Sequence, residues 1–184
     1  FAQVIASGAV RARPAHDWTA QVEVEGLASE TTYYYRFTDP RGRTSRMGRT
    51  RTAPAAGSMS PLSVAVASCS SVFSGFFNAY ARIAARDELD LVVHLGDYIY
   101  DFVDEDEQVR LPDVYPTEPD RLAAWRARHE LYLLDPDLRA ARAAHPWVVL
   151  WDNHDIERAP ERDWDGSIQA FREWVPMRLP DPED

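Results

Sequence analysis

The stretch VVHLGDYIYDFVDEDEQ, residues 92–108, decides the fold class of this chain. An aliphatic run ends abruptly at Gly96-Asp97, and two tyrosines and a series of acids follow. A short continuous apolar run is typical of a strand buried on both faces of a parallel sheet. Gly96 lets the backbone pass close to a neighbour, and Asp97 then presents a carboxylate at the end of the strand. The acidic residues 101–107 predict a solvated loop.

The same pattern recurs on both sides of this stretch. LSVAVAS (62–68) and PWVVLWD (146–152) are further short apolar runs of the kind expected for buried strands. Apolar residues at helical spacing predict helices between and after them, and Asp135-Pro136 is typical of a helix start. Strands that alternate with helices indicate an α/β fold with a parallel or mixed sheet covered by helices. The predicted helices cover 76–89, 121–134, a segment opened by Asp135, and 166–175.

The N-terminal part has a different character. QVEVEGL (21–27) alternates with period two, TTYYYRF (31–37) is rich in β-branched and aromatic residues, and both predict strands. DPRG (39–42) predicts a turn before a returning strand in TSRMGRTRT. These features indicate an all-β region that is too short to be a complete sandwich.

The change of pattern predicts two domains. APAAGSMSP (53–61) consists of small and turn-forming residues and is typical of a linker. We therefore expect a partial β domain at 1–52 and the first part of an α/β domain at 62–184. Because the chain begins at Phe1 and closes on LPDPED, we expect both ends to be cuts within a longer protein.

Composition excludes several classes of function. The chain has 184 residues and a formal net charge of -10, and residues 61–184 hold 25 acids against 12 arginines. Such an acidic surface repels phosphate backbones, which argues against a basic nucleic-acid-binding patch. No apolar run approaches the roughly 20 residues needed to cross a bilayer. Cys69 is the only cysteine, so no internal disulfide is possible.

The ends of the three predicted strands carry chemically capable residues. The strands are followed by Cys69, by Asp97 and by the segment Asp152-Asn153-His154-Asp155. Ligands of open α/β sheets bind outside the carboxyl ends of the strands, so these groups are expected to converge. Crowded carboxylates favour a multivalent cation. Asp and Asn oxygens suit hard cations, whereas Cys69 and nearby Tyr100 favour a transition metal, which suggests two or more metals of different character.

Each residue taken alone has a more ordinary interpretation. Gly-Asp after a strand is usually a turn, and a lone Cys69 is usually a small buried side chain. His94 is expected in the core, and His129 is expected on the surface of an amphipathic helix. The hypothesis of a metal site depends on the fact that all three predicted strands, in succession, are followed by residues that can bind a metal.

Three motifs together resemble a known family. SCS (68–70), GDYIY (96–100) and WDNHD (151–155) are similar to the PhoD-like alkaline phosphatase and phosphodiesterase family, a branch of the calcineurin-like metallophosphoesterases. DPDLR (135–139) and QAFREWVPMR (169–178) are similar to family segments as well. The resemblance implies a partial calcineurin-like metallophosphatase sheet flanked by helices. It also implies that part of an all-β fibronectin type III-like domain precedes this sheet.

The resemblance assigns metal ligands residue by residue. Cys69, Asp97 and Tyr100 would bind Fe³⁺, and Asp97 would bridge it to a Ca²⁺-type site to which Asn153 contributes. Further His and Asp ligands of the family lie in motifs that this sequence does not contain. We therefore expect an incomplete coordination shell, an exposed sheet edge and exposed apolar surface, and this segment alone is expected to be inactive.

The resemblance also assigns catalytic roles. His154 would face the substrate phosphate as hydrogen-bond donor or general acid, and Asp155 would orient its imidazole. Asp101 and Asp152 flank the motifs and are supporting candidates. The implied activity is metal-dependent hydrolysis of a small phosphate ester by an activated water, in a secreted or periplasmic enzyme. Phosphomonoesters, diesters and phosphonate-like compounds fit the motifs equally.

Two alternatives from other classes remain open. The chain could belong to a metal-dependent hydrolase that acts on a different ester, and substrate profiling would separate the two. It could also be a non-catalytic fibronectin-like binding module with a degenerate α/β partner. A binding module would lack stoichiometric iron and calcium.

Overall fold

The computed structural model describes residues 3–101, 108–110, 121–156 and 164–177, without the side chains of residues 164 and 165. Five strands and four helices lie in these ranges, and their order agrees with the α/β prediction. The strands are β1 (Thr32–Tyr35), β2 (Gly48–Arg51), β3 (Val64–Ala67), β4 (Leu91–His94) and β5 (Trp147–Val149). The helices are α1 (Asn78–Ala84), α2 (Arg121–Leu134), α3 (Pro136–Ala144) and α4 (Trp164–Trp174), with a 3₁₀ turn at Pro14–His16.

The three apolar runs form one parallel sheet in the order β3-β4-β5. Ala67 at the end of β3 pairs with His94 at the end of β4, and His94 pairs with Val149 at the end of β5. Because the strands are parallel and stop in register, the chain leaves the sheet at the same edge three times. The predicted convergence of strand ends is therefore a property of this fold.

Helices cover only one face of the sheet in the described part of the chain. Val92, His94 and Val149 point to the helical side and are buried. On the other face Val64, Val66 and Val148 are exposed, so the prediction of burial on both faces is wrong for β3 and β5. The expected exposed apolar surface is present.

The helices pack in pairs on the covered face, α1 against α3 and α2 against α4. Asp135 begins α3 as predicted, and its Oδ1 accepts hydrogen bonds from the backbone N–H groups of Asp137 and Leu138. Arg126 of α2 makes two 2.7 Å hydrogen bonds to the carboxylate of Glu173 on α4. This paired fork fixes the register of the two helices.

The N-terminal region contains an antiparallel hairpin of β1 and β2. The predicted turn is present, because Gly42 N–H donates to the Asp39 carbonyl at 2.9 Å. The prediction of a strand at 21–27 is wrong. Val22 and Val24 are 50% and 47% exposed, so their alternation buries no face and stabilises no strand. Residues 53–61 contain neither helix nor strand.

Arginines of β2 attach the hairpin to the α/β unit. The Arg49 guanidinium donates to the carbonyl oxygens of Leu89 and Ala144, which precede β4 and β5. Arg51 forms a 2.9 Å ion pair with Asp90. The hairpin therefore lies at the amino-terminal ends of the parallel strands. In the described ranges no helix is both long and apolar enough to span a membrane.

His129 lies in the core, so the expectation that it is on the surface is wrong. It is 1% exposed and its ring stacks on Trp174, with 6.5 Å between ring centroids. Burial, together with the charges of Arg142 and Arg128, lowers its pKa to about 3. His129 lies one helical turn from both Trp125 and Tyr132, so it belongs to the buried face of α2, which packs on α4.

Buried His129 predicts a loss of stability in acid. The unfolded state binds a proton below pH 6.5, whereas the folded state does so only near pH 3, so stability falls as the pH decreases through this window. Between pH 7 and pH 5 we expect this one group to cost about 2 kcal/mol. Urea denaturation of the wild type and of His129→Phe at both pH values measures the effect. An equal pH dependence in the two proteins would contradict it.

Candidate active site

The loops after β3 and β4 continue to pair beyond the strands. Cys69 N–H donates to the Gly96 carbonyl at 3.2 Å, and Ser70 N–H donates to the Asp97 carbonyl at 3.0 Å. Cys69 and Asp97 therefore face each other across two hydrogen-bonded loops. The third loop joins through Leu150 N–H, which donates to the His94 carbonyl.

Both facing residues have a left-handed backbone. The φ angle is 54° at Cys69 and 52° at Asp97, a conformation that costs a non-glycine residue free energy. Gly96 between strand and carboxylate has φ 113°, and a Cβ placed there would lie 2.7 Å from the Cβ of Asp152. The third loop thus packs directly on Gly96. Backbone strain and close approach coincide at the strand ends, as they often do at functional sites.

The Asp97 carboxylate is the centre of the site. Its Oδ2 lies 3.7 Å from the Cys69 Sγ and 3.5 Å from the Tyr100 hydroxyl. Its Oδ1 accepts a hydrogen bond from His154 N–H at 3.2 Å. Asp97 is only 7% exposed. Three of the four predicted metal-ligating residues therefore have side chains in mutual contact.

Asn153, the fourth predicted ligand, lies one residue before His154 and so reaches the same corner of the sheet. It is partly exposed, and its backbone N–H donates to the Asp152 Oδ1 at 2.8 Å. This bond links Asn153 to the residue that packs on Gly96. The neighbouring His154 N–H connects this loop to Asp97, and the role of Asn153 as a ligand stays a prediction.

The thiol and the phenol each lie at a distance from the Asp97 carboxylate that two ligands of one cation can have. Contacts of 3.5 and 3.7 Å are longer than good hydrogen bonds to a carboxylate. Ligand atoms about 2.0–2.3 Å from one ion lie about 3–4 Å from one another. In the part of the chain that the structure describes, no group of three His, Cys, Asp or Glu residues could hold a metal. A metal site at this point would need the phenol of Tyr100 and the amide of Asn153 besides the thiol and the carboxylate.

Electrostatics at Tyr100 agree with this arrangement. Burial, followed by the negative charge of Asp97, raises the pKa of the Tyr100 phenol. The phenol therefore keeps its proton, and its hydroxyl faces the Asp97 carboxylate at 3.5 Å. A cation at this point would replace that proton and remove the conflict between the anionic forms.

His154 is held by Tyr100 and Asp101. The imidazole stacks on the Tyr100 ring with 4.2 Å between centroids, and its Nδ1 lies 2.7 Å from the Asp101 Oδ1. The sequence analysis treated Asp101 only as a supporting candidate. The signal for it was its position four residues after Asp97, in the loop that also carries Tyr100.

The hydrogen bonds of the Asp155 carboxylate come from backbone N–H groups, whereas the imidazole of His154 meets Asp101. The Asp155 Oδ1 accepts from Ile99 N–H at 2.9 Å and its Oδ2 accepts from Asp152 N–H at 3.0 Å. Asp155 is fully buried, and burial raises its pKa to about 6 despite these bonds. With both oxygens occupied by backbone donors, Asp155 ties the second loop to the third.

A polar group beneath the site was missed by the sequence analysis. The Ser70 Oγ contacts the Tyr80 hydroxyl and lies 3.1 Å from the His94 Nε2. His94 is fully buried as expected, and burial lowers its pKa to about 4, so the ring is neutral near pH 7. This group fixes Ser70, whose N–H holds the backbone of Asp97. The only sequence signal was the serine directly after Cys69.

Comparison with known proteins places the chain in a family. The family model of PhoD-like phosphatase matches residues 64–184, and the model of the PhoD-like phosphatase N-terminal domain matches residues 1–54. The chain belongs to the PhoD-like phosphatase family. The resemblance and the fold class inferred from the three strand-end motifs are thereby confirmed.

Two relatives agree with this assignment. The chain is 34% identical to alkaline phosphatase D of Bacillus subtilis (strain 168), over 97% of this chain and 33% of the relative. A solved structure of PhoD matches with a TM-score of 0.80 and 35% identity, over 94% of this chain and 37% of that chain. The chain thus spans about a third of the length of these relatives.

Proposed function

We propose that this protein hydrolyses phosphate esters and that it requires metal ions to do so. The observation that carries the proposal is the contact of Cys69, Asp97 and Tyr100 side chains at the shared edge of the sheet. Membership of the PhoD-like phosphatase family supports the phosphate ester as substrate.

The donor types suggest how the cations divide. Cys69, Asp97 and Tyr100 would hold one ion, Fe³⁺ by resemblance to the family, because thiolate and phenolate suit a transition metal. Asp97 would share its carboxylate with a second, Ca²⁺-type ion to which Asn153 contributes an amide oxygen. When bound, the ions supply Lewis acidity to the phosphoryl oxygens and to the attacking water.

His154 handles the proton of the leaving group in this proposal. Asp101 next to Nδ1 favours the tautomer with the proton on Nδ1. Stacking on Tyr100 fixes the plane of the ring. For general-acid catalysis both ring nitrogens must carry a proton: the departing alkoxide would take the proton from Nε2, and the ring would return to the neutral form protonated on Nδ1.

Asp155 acts as a positioning residue rather than a catalytic one. The bond from Ile99 N–H joins the loop of Tyr100 to the loop of His154, and the bond from Asp152 N–H holds Asp155 within its own loop. Because a misplacement of about 1 Å can cost about 100-fold in rate, this tie supports the geometry of the whole site.

Hydrolysis assays combined with metal analysis test the function. The full-length protein is expected to cleave p-nitrophenyl phosphate or bis-p-nitrophenyl phosphate, to carry stoichiometric metal, and to lose activity when chelators remove it. The ratio of the two rates would assign it to monoesters or diesters. Cleavage of p-nitrophenyl acetate with no action on either phosphate would overturn the proposal, and so would full activity without metal.

Asp101→Asn tests the role of the imidazole. Loss of the carboxylate is expected to lower kcat about 10- to 100-fold, because an outer partner of an active-site histidine is removed. The loss should be larger for phenyl phosphate than for p-nitrophenyl phosphate, since a poor leaving group depends more on a proton donor. Equal losses for the two substrates would contradict the assignment.

The division of the chain is also a proposal. We infer a β domain at 1–52 and an α/β domain from 62, joined by 53–61, and the separate family matches support this division. A secreted or periplasmic location, proposed from family membership, is tested by cell fractionation.

A further inference from the structure

A cleft lies between the hairpin and the helices, and none of the candidate metal-ligating or catalytic residues lines it. Its volume is about 550 Å³, within the usual size of a small-molecule pocket. Tyr35, Phe37 and Arg46 line it from the hairpin, and α3 and the start of β5 line it from the other side. The catalytic candidates follow the carboxyl ends of the strands. The cleft borders Pro146 and Trp147, where β5 begins.

The charge of this cleft is opposite to that of the chain. Four arginines line it, whereas the described residues around it include no Asp or Glu. The whole chain carries a formal net charge of -10. A purely cationic lining in an acidic protein makes a local field that attracts anions. The arginines are Arg46, Arg49, Arg139 and Arg142, with His145 beside them.

No carboxylate neutralises these guanidinium groups in the part of the chain that the structure describes. Arg49 donates to three backbone carbonyls and contacts His145 Nδ1. Arg142 donates to the Tyr98 hydroxyl at 2.8 Å and to the Trp174 carbonyl at 3.3 Å. These neutral acceptors fix the two side chains and leave their positive charge uncompensated.

Arg46 and Arg139 are exposed, and each belongs to a different wall of the cleft. Within the described ranges neither guanidinium has a hydrogen bond or an ion pair, while Arg43, Arg86 and Arg126 each pair with an acid. Guanidinium groups present paired donors that match the oxygens of phosphate, phosphonate or carboxylate. The cleft is therefore lined by two guanidinium groups held by neutral acceptors and by two that have no hydrogen bond or ion pair within the described ranges.

The remaining lining is apolar and partly aromatic, with Trp147, Val149 and Val175 on the helical side and Tyr35 and Phe37 on the hairpin. Such walls favour a ligand with a flat apolar body in addition to its oxyanion. We propose that this cleft is a second binding site, separate from the catalytic centre, for a small aromatic or apolar oxyanion. The bound anion bridges the hairpin and the α/β unit.

Calorimetry with phenylphosphonate, whose C–P bond is not an ester, tests the site. Full-length protein carrying Asp97→Asn provides the background, because this change weakens anion binding at the metal centre. The background protein is expected to bind phenylphosphonate, to bind methylphosphonate more weakly, and to show no binding of benzyl alcohol. Arg46→Gln with Arg139→Gln should weaken phenylphosphonate binding about 100-fold, roughly tenfold for each lost charge-assisted contact.

Arg11→Gln with Arg13→Gln is the matched control, since both arginines are exposed and lie outside the cleft lining. This pair removes the same charge and should leave the affinity unchanged. Equal weakening by both pairs would show a general charge effect and overturn the site. Absence of binding to the background protein at millimolar phenylphosphonate would also overturn it. Hydrolytic activity is measured separately, in the protein that retains Asp97, so that failure of the second site and failure of the proposed function can be distinguished.

Discussion

Asp97→Asn is expected to lower turnover of a phosphate ester about 1000-fold while the fold stays intact. The substitution removes the negative charge that Cys69 and Tyr100 surround, and metal-ion catalysis supplies several kcal/mol of transition-state stabilisation. Asparagine keeps the size of the side chain and an oxygen that can accept the His154 N–H bond. It also tolerates the left-handed backbone of this position, where φ is 52°.

Hydrolysis assays, metal analysis and far-UV circular dichroism measure these effects together. Asp39→Asn is the control, because Asp39 is a turn carboxylate that accepts backbone hydrogen bonds which an asparagine oxygen can also accept. The control should retain activity and metal. Wild-type turnover in Asp97→Asn would remove this residue from the catalytic centre.

Gly96→Ala is expected to have the largest effect on stability and to abolish the proposed hydrolysis as well. A Cβ at this position would lie 2.7 Å from the Asp152 Cβ and 3.1 Å from the Asp152 backbone nitrogen. Neither atom can move without shifting the loop that carries Asn153 and His154. The φ of 113° adds strain for any residue with a side chain. We expect a loss of about 2–4 kcal/mol in the free energy of unfolding.

Gly26→Ala separates the two causes. Gly26 also has a positive φ, 72°, but a Cβ there meets nothing within 4 Å. It should cost only the backbone strain, about 1 kcal/mol, and leave the activity unchanged. Urea denaturation of both variants gives the comparison. If Gly96→Ala costs no more than Gly26→Ala, the close packing of the third loop on Gly96 is not a determinant of stability.

Much of the sheet could be predicted from sequence because its signals are local. Each strand of the parallel sheet is a short aliphatic run, and each run is followed directly by a chemically distinct residue. Asp135 likewise begins α3 through bonds to residues two and three positions later. The convergence of the side chains that follow the strands could also be predicted, because the carboxyl ends of parallel strands lie at one edge of the sheet.

The predictions that were wrong depended on contacts with segments that are distant in the sequence, which a local sequence pattern cannot show. Residues 21–27 alternate as a strand does, but a strand needs a partner, and Val22 and Val24 remain exposed. Because histidine is polar, the sequence favours a surface position for His129, yet it shares a face of α2 with Trp125 and Trp174 of α4 stacks on it. In both cases burial is decided by an element far away in the sequence.

The sequence by itself determined that a thiol, a carboxylate and a phenol follow strands of one parallel sheet, since composition and order are enough to place strand ends. Only the tertiary structure decided how the supporting carboxylates divide their work. Asp101 meets the imidazole of His154, while Asp155 accepts two backbone N–H groups. The reason is physical: both carboxylates lie close to His154 in the sequence or in space, and only the path of the loops decides which oxygen comes within 3 Å of the ring.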